Sequence, residues 1–222
     1  VCFTIQRNRI LTLYHNCTDA CQERLVHPSV IAVNIADLTP CVEFLNNLNR
    51  QILYRETDIG KEKVQCAAAS LTKINPHSAV EPLHEKITDA AVSELIGTSH
   101  IILDCLDNFE TRHVLNRYAV QKRIPLIHAG IEGFAGQLTV IQSPETPCLA
   151  CFFPGALPTK KIFPVAGVTP GVIGTLQAAE AIKLILGIGD TLKGRLLVWD
   201  GELMEFQKIE IHKDRHCPVC GT

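Results

Sequence analysis

Residues 101–116 read Ile101-Ile102-Leu103-Asp104-Cys105-Leu106-Asp107-Asn108-Phe109-Glu110-Thr111-Arg112-His113-Val114-Leu115-Asn116. Ile101, Ile102 and Leu103 form a β-branched and aliphatic run, which reads as a buried strand. Asn108 is a good helix N-cap, and Val114, Leu115 and Tyr118 fall near one helical face behind it. Two carboxylates, Asp104 and Asp107, therefore stand where a strand hands over to a helix. In open α/β sheets ligands bind outside that carboxyl edge. A carboxylate there can hold Mg²⁺ through a few oxygens and leave phosphate to complete the shell. The same residue types also serve as plain caps and turn formers.

Outward from this stretch the chain alternates. Gly60 and Lys63 open a helix over residues 64–74, stopped by Asn75-Pro76. Residues 79–84 read as a strand, and Pro82 makes it an edge candidate. Thr88 suits the cap of a helix over 89–96 that Gly97 ends. Residues 29–36, 124–128, 136–142, 196–199 and 204–211 read as further strands, the first ending at Asp37. Residues 172–186 carry the strongest helical stripe, with Val172, Leu176, Ala179, Ile182 and Leu186, and Gly187 as the stop. Residues 144–170 hold six of the twelve prolines, which excludes one continuous helix and predicts a long functional loop.

The chain has 222 residues, a formal net charge of -2 and 46% hydrophobic residues. That composition fits one α/β domain with a full core and excludes a disordered tail. The near-neutral balance gives no electrostatic case for nucleic acid. No apolar run approaches the roughly 18 residues that span a bilayer. The opening residues lack the apolar run of a signal peptide, so a cytoplasmic location is expected. The first residue is Val1 and not methionine, which suits a fragment. Ten cysteines without an export signal point to metal more than to disulfides.

Cys148-x-x-Cys151 and Cys217-x-x-Cys220 carry the sharpest chemical signal. Each pair sets two thiolates on one knuckle, and two knuckles make a closed tetrahedral site for Zn²⁺. The 65 intervening residues mean that tertiary structure must close it, pinning the carboxyl terminus to the loop after residue 147. Redox pairs and an iron–sulfur cluster are the rival readings. Arg50, Lys63 and Asp107 form a more dispersed set. Two cations and a carboxylate beside element ends suit a nucleoside triphosphate with Mg²⁺. Singly, each is more often a solvated surface residue.

Several motifs together resemble the ThiF/MoeB/HesA family, bacterial relatives of the ubiquitin-activating enzymes. They are Asn47-Leu48-Asn49-Arg50-Gln51, Gly60-x-x-Lys63, Asp104-Cys105-Leu106-Asp107-Asn108, Gly136-Gln137, Pro147-Cys148-x-x-Cys151, Pro170-Gly171-Val172-Ile173-Gly174, Gln177-Ala178-x-Glu180 and Cys217-Pro218-x-Cys220-Gly221. The resemblance implies one ThiF-type adenylating domain over residues 1–222. Its α/β fold would be a doubly wound, mostly parallel Rossmann-like sheet with a C-terminal antiparallel portion. A four-cysteine zinc knuckle would join 217–222 to 148–151, and the chain would be a homodimer. The implied reaction is ATP-dependent adenylation of the C-terminal glycine of a small ubiquitin-like sulfur carrier ending in Gly-Gly. By family role Arg50 and Lys63 contact the triphosphate and Asp107 holds Mg²⁺. Asp37 contacts the ribose, while Asn47, Gln51 and Asn108 complete the nucleotide site.

Three departures matter. Residues 1–35 contain no glycine, whereas the family has a glycine-rich strand-to-helix turn before the Asp37 position. Residues 1–36 thus read as an atypical or damaged nucleotide-binding start. Residues 1–25 are expected to be the most irregular part of the chain, and ATP binding is expected to be weak or absent. The segment after Asp37 reads Leu38-Thr39-Pro40, and Asp37 lies two residues further from Arg50 than the pattern has it. Phe163 stands where many members carry a cysteine, which argues against a thioester or persulfide step. The rival function is a catalytically idle, zinc-stabilised dimeric scaffold or carrier-binding protein. An NAD-dependent oxidoreductase fits poorly, because no G-x-G-x-x-G is present.

Overall fold

The computed structural model describes residues 2–5, 30–34, 48–155 and 165–221, the first two segments as backbone. The chain divides into two compact units, Val1–Lys86 with Glu94–His100, and Ile87–Ser93 with Ile101–Thr222.

In the first unit, strand β1 (Cys2–Ile5) pairs antiparallel with β2 (Val30–Asn34). Helix α1 (Lys63–Ile74) follows Gly60, whose φ of +82° suits a residue without a Cβ. Val64, Ala67 and Leu71 recur at helical spacing and pack with Tyr54, Leu48, Leu53 and Val80. Ser70 Oγ donates to the Leu53 carbonyl at 2.7 Å, so the preceding loop is tied to the same helix. Pro76 ends α1 as its sequence requires. Strand β3 (Ala79–Leu83) then runs parallel to β2, and its Pro82 sits on a strand paired on the β2 side. Helix α2 (Val92–Ile96), whose first two residues and preceding turn belong to the second unit, is shorter than expected. Thr88 Oγ1 does accept from the Ala91 amide at 3.2 Å, but residues 89–91 form a turn before the helix proper. Gly97, at φ +51°, ends it.

In the second unit, β4 (Ile101–Asp104) and β5 (Leu126–Glu132) are parallel, with α3 (Phe109–Lys122) as the crossover. Gly133, at φ +57°, opens a two-residue turn into β6 (Ala135–Ile141), which returns antiparallel to β5. Then come α4 (Leu149–Phe152), α5 (Val168–Leu186), β7 (Arg195–Asp200) and β8 (Glu205–Glu210). Strands β4 to β8 form a five-stranded mixed sheet in sequential order. The mostly parallel sheet is corrected here. Among the described pairings only β2–β3 and β4–β5 are parallel, and the antiparallel portion already begins at β5. The tight turn at Gly133 leaves no length for a crossover. Ile102, Leu115, Leu126, Ile127, Leu138 and Leu149 are fully buried and form this unit's core.

Two expectations about residues 144–186 also change. The proline-rich stretch contains α4, and α5 begins at Val168, not Val172. Pro170 fits because the first helical turn has no use for its missing N–H. The buried face of α5 is Thr169, Ile173, Gln177, Glu180 and Ala181, whereas Ala179 is exposed. Gly136 of β6 lies directly under Ile173, and a Cβ there would collide with the Ile173 side chain. Asp37, Asn47, most of residues 1–25 and the loop residues 156–164 lie outside the described residues.

A buried polar cluster sits beneath the end of β4. Asp104 and His128 are fully buried, and His128 Nδ1 meets Asp104 Oδ2 at 2.6 Å. Asp104 Oδ1 accepts from the Leu106 amide at 3.0 Å and lies 3.5 Å from Arg112 Nε. Arg112 Nη2 donates to the carbonyls of Leu106 and, at 2.9 Å, Ala129. Gln177 Nε2 donates to the carbonyls of Asp104 at 3.0 Å and Ile127 at 2.8 Å. Burial alone would raise the Asp104 carboxyl, but Arg112 and His128 outweigh it and hold it below its usual value. Burial pulls the His128 imidazole below its ordinary 6.5, with Asp104 opposing. An Nδ1–H tautomer of His128 donates to Asp104 Oδ2.

Two outcomes follow from this packing. Gly136→Ala should cost about 1–3 kcal/mol in urea denaturation, the usual range for overpacking; no measurable loss would mean that Ile173 moves aside freely. Below pH 6.5 the unfolded chain gains a proton at residue 128 that the folded chain resists. The contribution of His128 is complete above 6.5 and is lost as pH falls through the depressed folded value. Thermal melts of the wild type should therefore weaken as pH falls below that point, by at most about 1.4 kcal/mol per pH unit from this group. His128→Gln should flatten that slope, and an unchanged slope would exclude residue 128 as its source.

Candidate functional site

The two carboxylates at the end of β4 have opposite fates. Asp104 turns inward, and both its oxygens are occupied by protein groups. Asp107 is exposed; its Oδ1 accepts from Asn108 Nδ2 at 3.3 Å. Asn108 Oδ1 accepts from the Thr111 amide at 2.8 Å and caps α3, as expected. The Leu106 peptide between them is fixed at both ends, its N–H by Asp104 and its C=O by Arg112. Asp107 is therefore an exposed carboxylate that follows a residue hydrogen-bonded to the protein from below.

Arg50, Gln51 and Lys63 belong to the first unit. Arg50 is half-buried, with Nη1 donating to Asn49 Oδ1 at 3.0 Å. Gln51 has a buried Oε1 without a hydrogen-bond partner among the described residues. Lys63 is the first residue of α1 and half-buried. Its neighbour Lys61 is engaged otherwise: its Nζ lies 3.0 Å from Asp58, whose carboxyl it holds low. Asp107 belongs to the second unit.

The four expected cysteines come together. Cys148, Cys151, Cys217 and Cys220 place their sulfurs all within 4.8 Å of one another. Cys148 Sγ lies 3.6 Å from Cys217 Sγ, and Cys151 Sγ lies 3.4 Å from Cys220 Sγ. Those spacings are too long for disulfides, near 2.05 Å. They approach the edge of about 3.8 Å that a tetrahedron of roughly 2.3 Å metal–sulfur bonds would have. Burial raises the Cys148 thiol to about 11. Burial also acts on Cys217, but the amides of Cys220 and Val219 and the Cys148 and Cys151 thiols outweigh it, bringing Cys217 to about 7. Four soft donors in a closed, largely buried cluster can hold a metal ion.

One face of α3 is seated on the chain that carries the first cysteine pair. The rings of Phe109 and Phe153 meet edge-on at 5.5 Å between centroids. His113 Nε2 lies 3.0 Å from the Gly155 carbonyl, and the Leu149 amide donates to Asn116 Oδ1 at 2.9 Å. Neither Asn116 nor His128 stood out in the sequence. The spacing of Phe109, His113 and Asn116, four residues and then three, is the signal that could have marked the stripe.

Comparisons with known proteins agree with this architecture. The model of the ThiF family matches residues 42–219. The SAMP-activating enzyme E1 of Haloferax volcanii is 35% identical over 224 residues, covering 90% of this chain and 83% of that protein. Protein HesA of Nostoc sp. is 39% identical over 179 residues, covering 80% and 71%. The sulfur carrier protein ThiS adenylyltransferase of Escherichia coli is 38% identical over 181 residues, covering 80% and 72%. A crystal structure of E. coli MccB with MccA-N7isoASN shares the fold at a TM-score of 0.75 and 21% identity. There the match covers 87% of this chain and 60% of the MccB chain. With a family match across most of its length and these relatives, the chain belongs to the ThiF family.

Proposed function

We propose that this chain is an adenylyltransferase that uses ATP to activate the C-terminal glycine of a small ubiquitin-like sulfur carrier. The pathway class is thiamine, molybdopterin or related sulfur-transfer biosynthesis. The observation that carries the reading is the ThiF match over residues 42–219, with sulfur-carrier adenylyltransferases among the relatives. In the reaction a carboxylate oxygen of the carrier's last residue attacks the α-phosphorus of ATP. The bond from that phosphorus to the α–β bridging oxygen breaks, and pyrophosphate leaves with the electron pair. The protein contributes positioning and charge neutralisation.

Residue roles follow from chemistry and family position. Asp107 would hold Mg²⁺, which offsets phosphate charge when bound. Arg50 and Lys63 would contact the triphosphate, Asn47, Gln51 and Asn108 would line the nucleotide, and Asp37 would contact the ribose. The four cysteines would hold Zn²⁺ in a structural site. The buried Asp104 is not a metal ligand in this reading. The chain would act as one ThiF-type domain in a doubly wound arrangement, as a cytoplasmic homodimer. Among the described residues no helix is long and apolar enough to cross a membrane. With Phe163 at the usual cysteine position, the reaction would stop at the acyl-adenylate. The glycine-free residues 1–35 favour a second reading, in which nucleotide binding is lost and a carrier-binding scaffold remains.

Carrier-dependent ATP–pyrophosphate exchange separates the two readings: exchange with a carrier ending in Gly-Gly supports adenylation, and its absence supports the scaffold. If exchange occurs, Asp107→Ala should lower it by on the order of a hundredfold or more without moving the unfolding midpoint. Normal exchange in that variant would remove Asp107 from the site. Calorimetry with ATP and Mg²⁺ on this chain should show weak binding, whereas a micromolar dissociation constant would show that residues 1–35 do the work of the missing glycines. Cys217→Ser should release the metal, measured by elemental analysis, and lower the thermal midpoint.

A further inference from the structure

Asn116 has no part in the reading above, yet it is fully buried in α3. Its Oδ1 accepts from the Leu149 amide, so the carboxamide is anchored one peptide away from Cys148. Its Nδ2 is buried without a hydrogen-bond partner among the described residues. The Asn116 side chain also lies within interaction reach of the Cys148 thiol. A buried N–H without an acceptor is disfavoured, and a metal-bound thiolate is a far better acceptor than a neutral thiol. Cys217 already has the amides of Val219 and Cys220 directed at it. Cys148 is the fully buried ligand on the other knuckle.

We propose that Asn116 donates from Nδ2 to the metal-bound thiolate of Cys148, and so joins α3 to the metal cluster. This rests on the cluster holding a metal. In such sites the groups that hydrogen-bond the ligands orient them and tune the ion. Asn116 does this through both halves of one carboxamide. Its oxygen fixes the peptide that carries the ligand, and its nitrogen meets the ligand's charge. The role makes it a positioning residue, not a ligand.

The test uses the full chain loaded with cobalt(II), whose thiolate charge-transfer absorption reports directly on metal–sulfur bonding. Asn116→Asp keeps an oxygen for the Leu149 amide but removes the donor. It should weaken cobalt(II) binding about 10–100-fold and shift the charge-transfer band, with far-ultraviolet dichroism unchanged at saturating metal. Asn116→Leu, similar in volume but without polar atoms, should lose affinity to the same extent; it carries the test if the Asp variant does not fold. Variants with the wild-type band and wild-type affinity would overturn the assignment of Asn116 alone. A wild-type chain that shows no cobalt–thiolate band would overturn the metal reading and this inference with it.

Discussion

The second unit depends on one buried carboxylate. Asp104 ends β4, and its groups are met by His128 from β5, Arg112 from α3 and Gln177 from α5. Three elements that are distant in sequence thus converge on one residue. A charge removed from water persists only when its lone pairs are occupied, and breaking such a set by removing one partner typically costs about 3–5 kcal/mol. The arrangement also ties down the loop after β4. The N–H and the C=O of Leu106 are both held before the chain reaches Asp107. The buried aspartate thereby fixes the residue just before the exposed one.

What could be read from the sequence was mostly local. Asn108 caps α3, Pro76 closes α1, and Gly97 and Gly187 end helices at positive φ, because each device acts within a few residues. The cysteine pairs were legible for a different reason: their donor set has few competing explanations, even across a long gap. The partners of Asp104 were not legible. His128 lies 24 residues away and Gln177 makes its contact across 73, and nothing local announces either. The buried face of α5 differs from its apolar stripe. Gln177 and Glu180 are buried instead, each holding backbone groups: Glu180 Oε2 accepts from the Leu192 amide at 2.8 Å. Strand direction was hidden as well, since periodicity does not tell a crossover from a hairpin and only the Gly133 turn decides it.

The two aspartates of residues 104–107 show how little side-chain identity says alone. Both are carboxylates three residues apart at one strand end. One is dehydrated and bound by protein donors, and the other faces water. Only the second retains oxygens for a cation. A sequence motif that names both aspartates therefore joins a buried position to an exposed one, and substitutions at the two should not be read alike.

The seating of α3 on the chain around Cys148 has a mechanical consequence. Asn108 and Asn116 lie eight residues apart on this helix, or about 12 Å along its axis. An α-helix is stiff lengthwise, so α3 acts as a strut with one foot on the cysteine cluster and the other at the Asp107 loop. A shift at the first foot is carried along the helix toward the second, against the hold of Arg112 on the Leu106 and Ala129 carbonyls. The hold on the four cysteines and the placing of the Asp107 loop are thus linked through one helix.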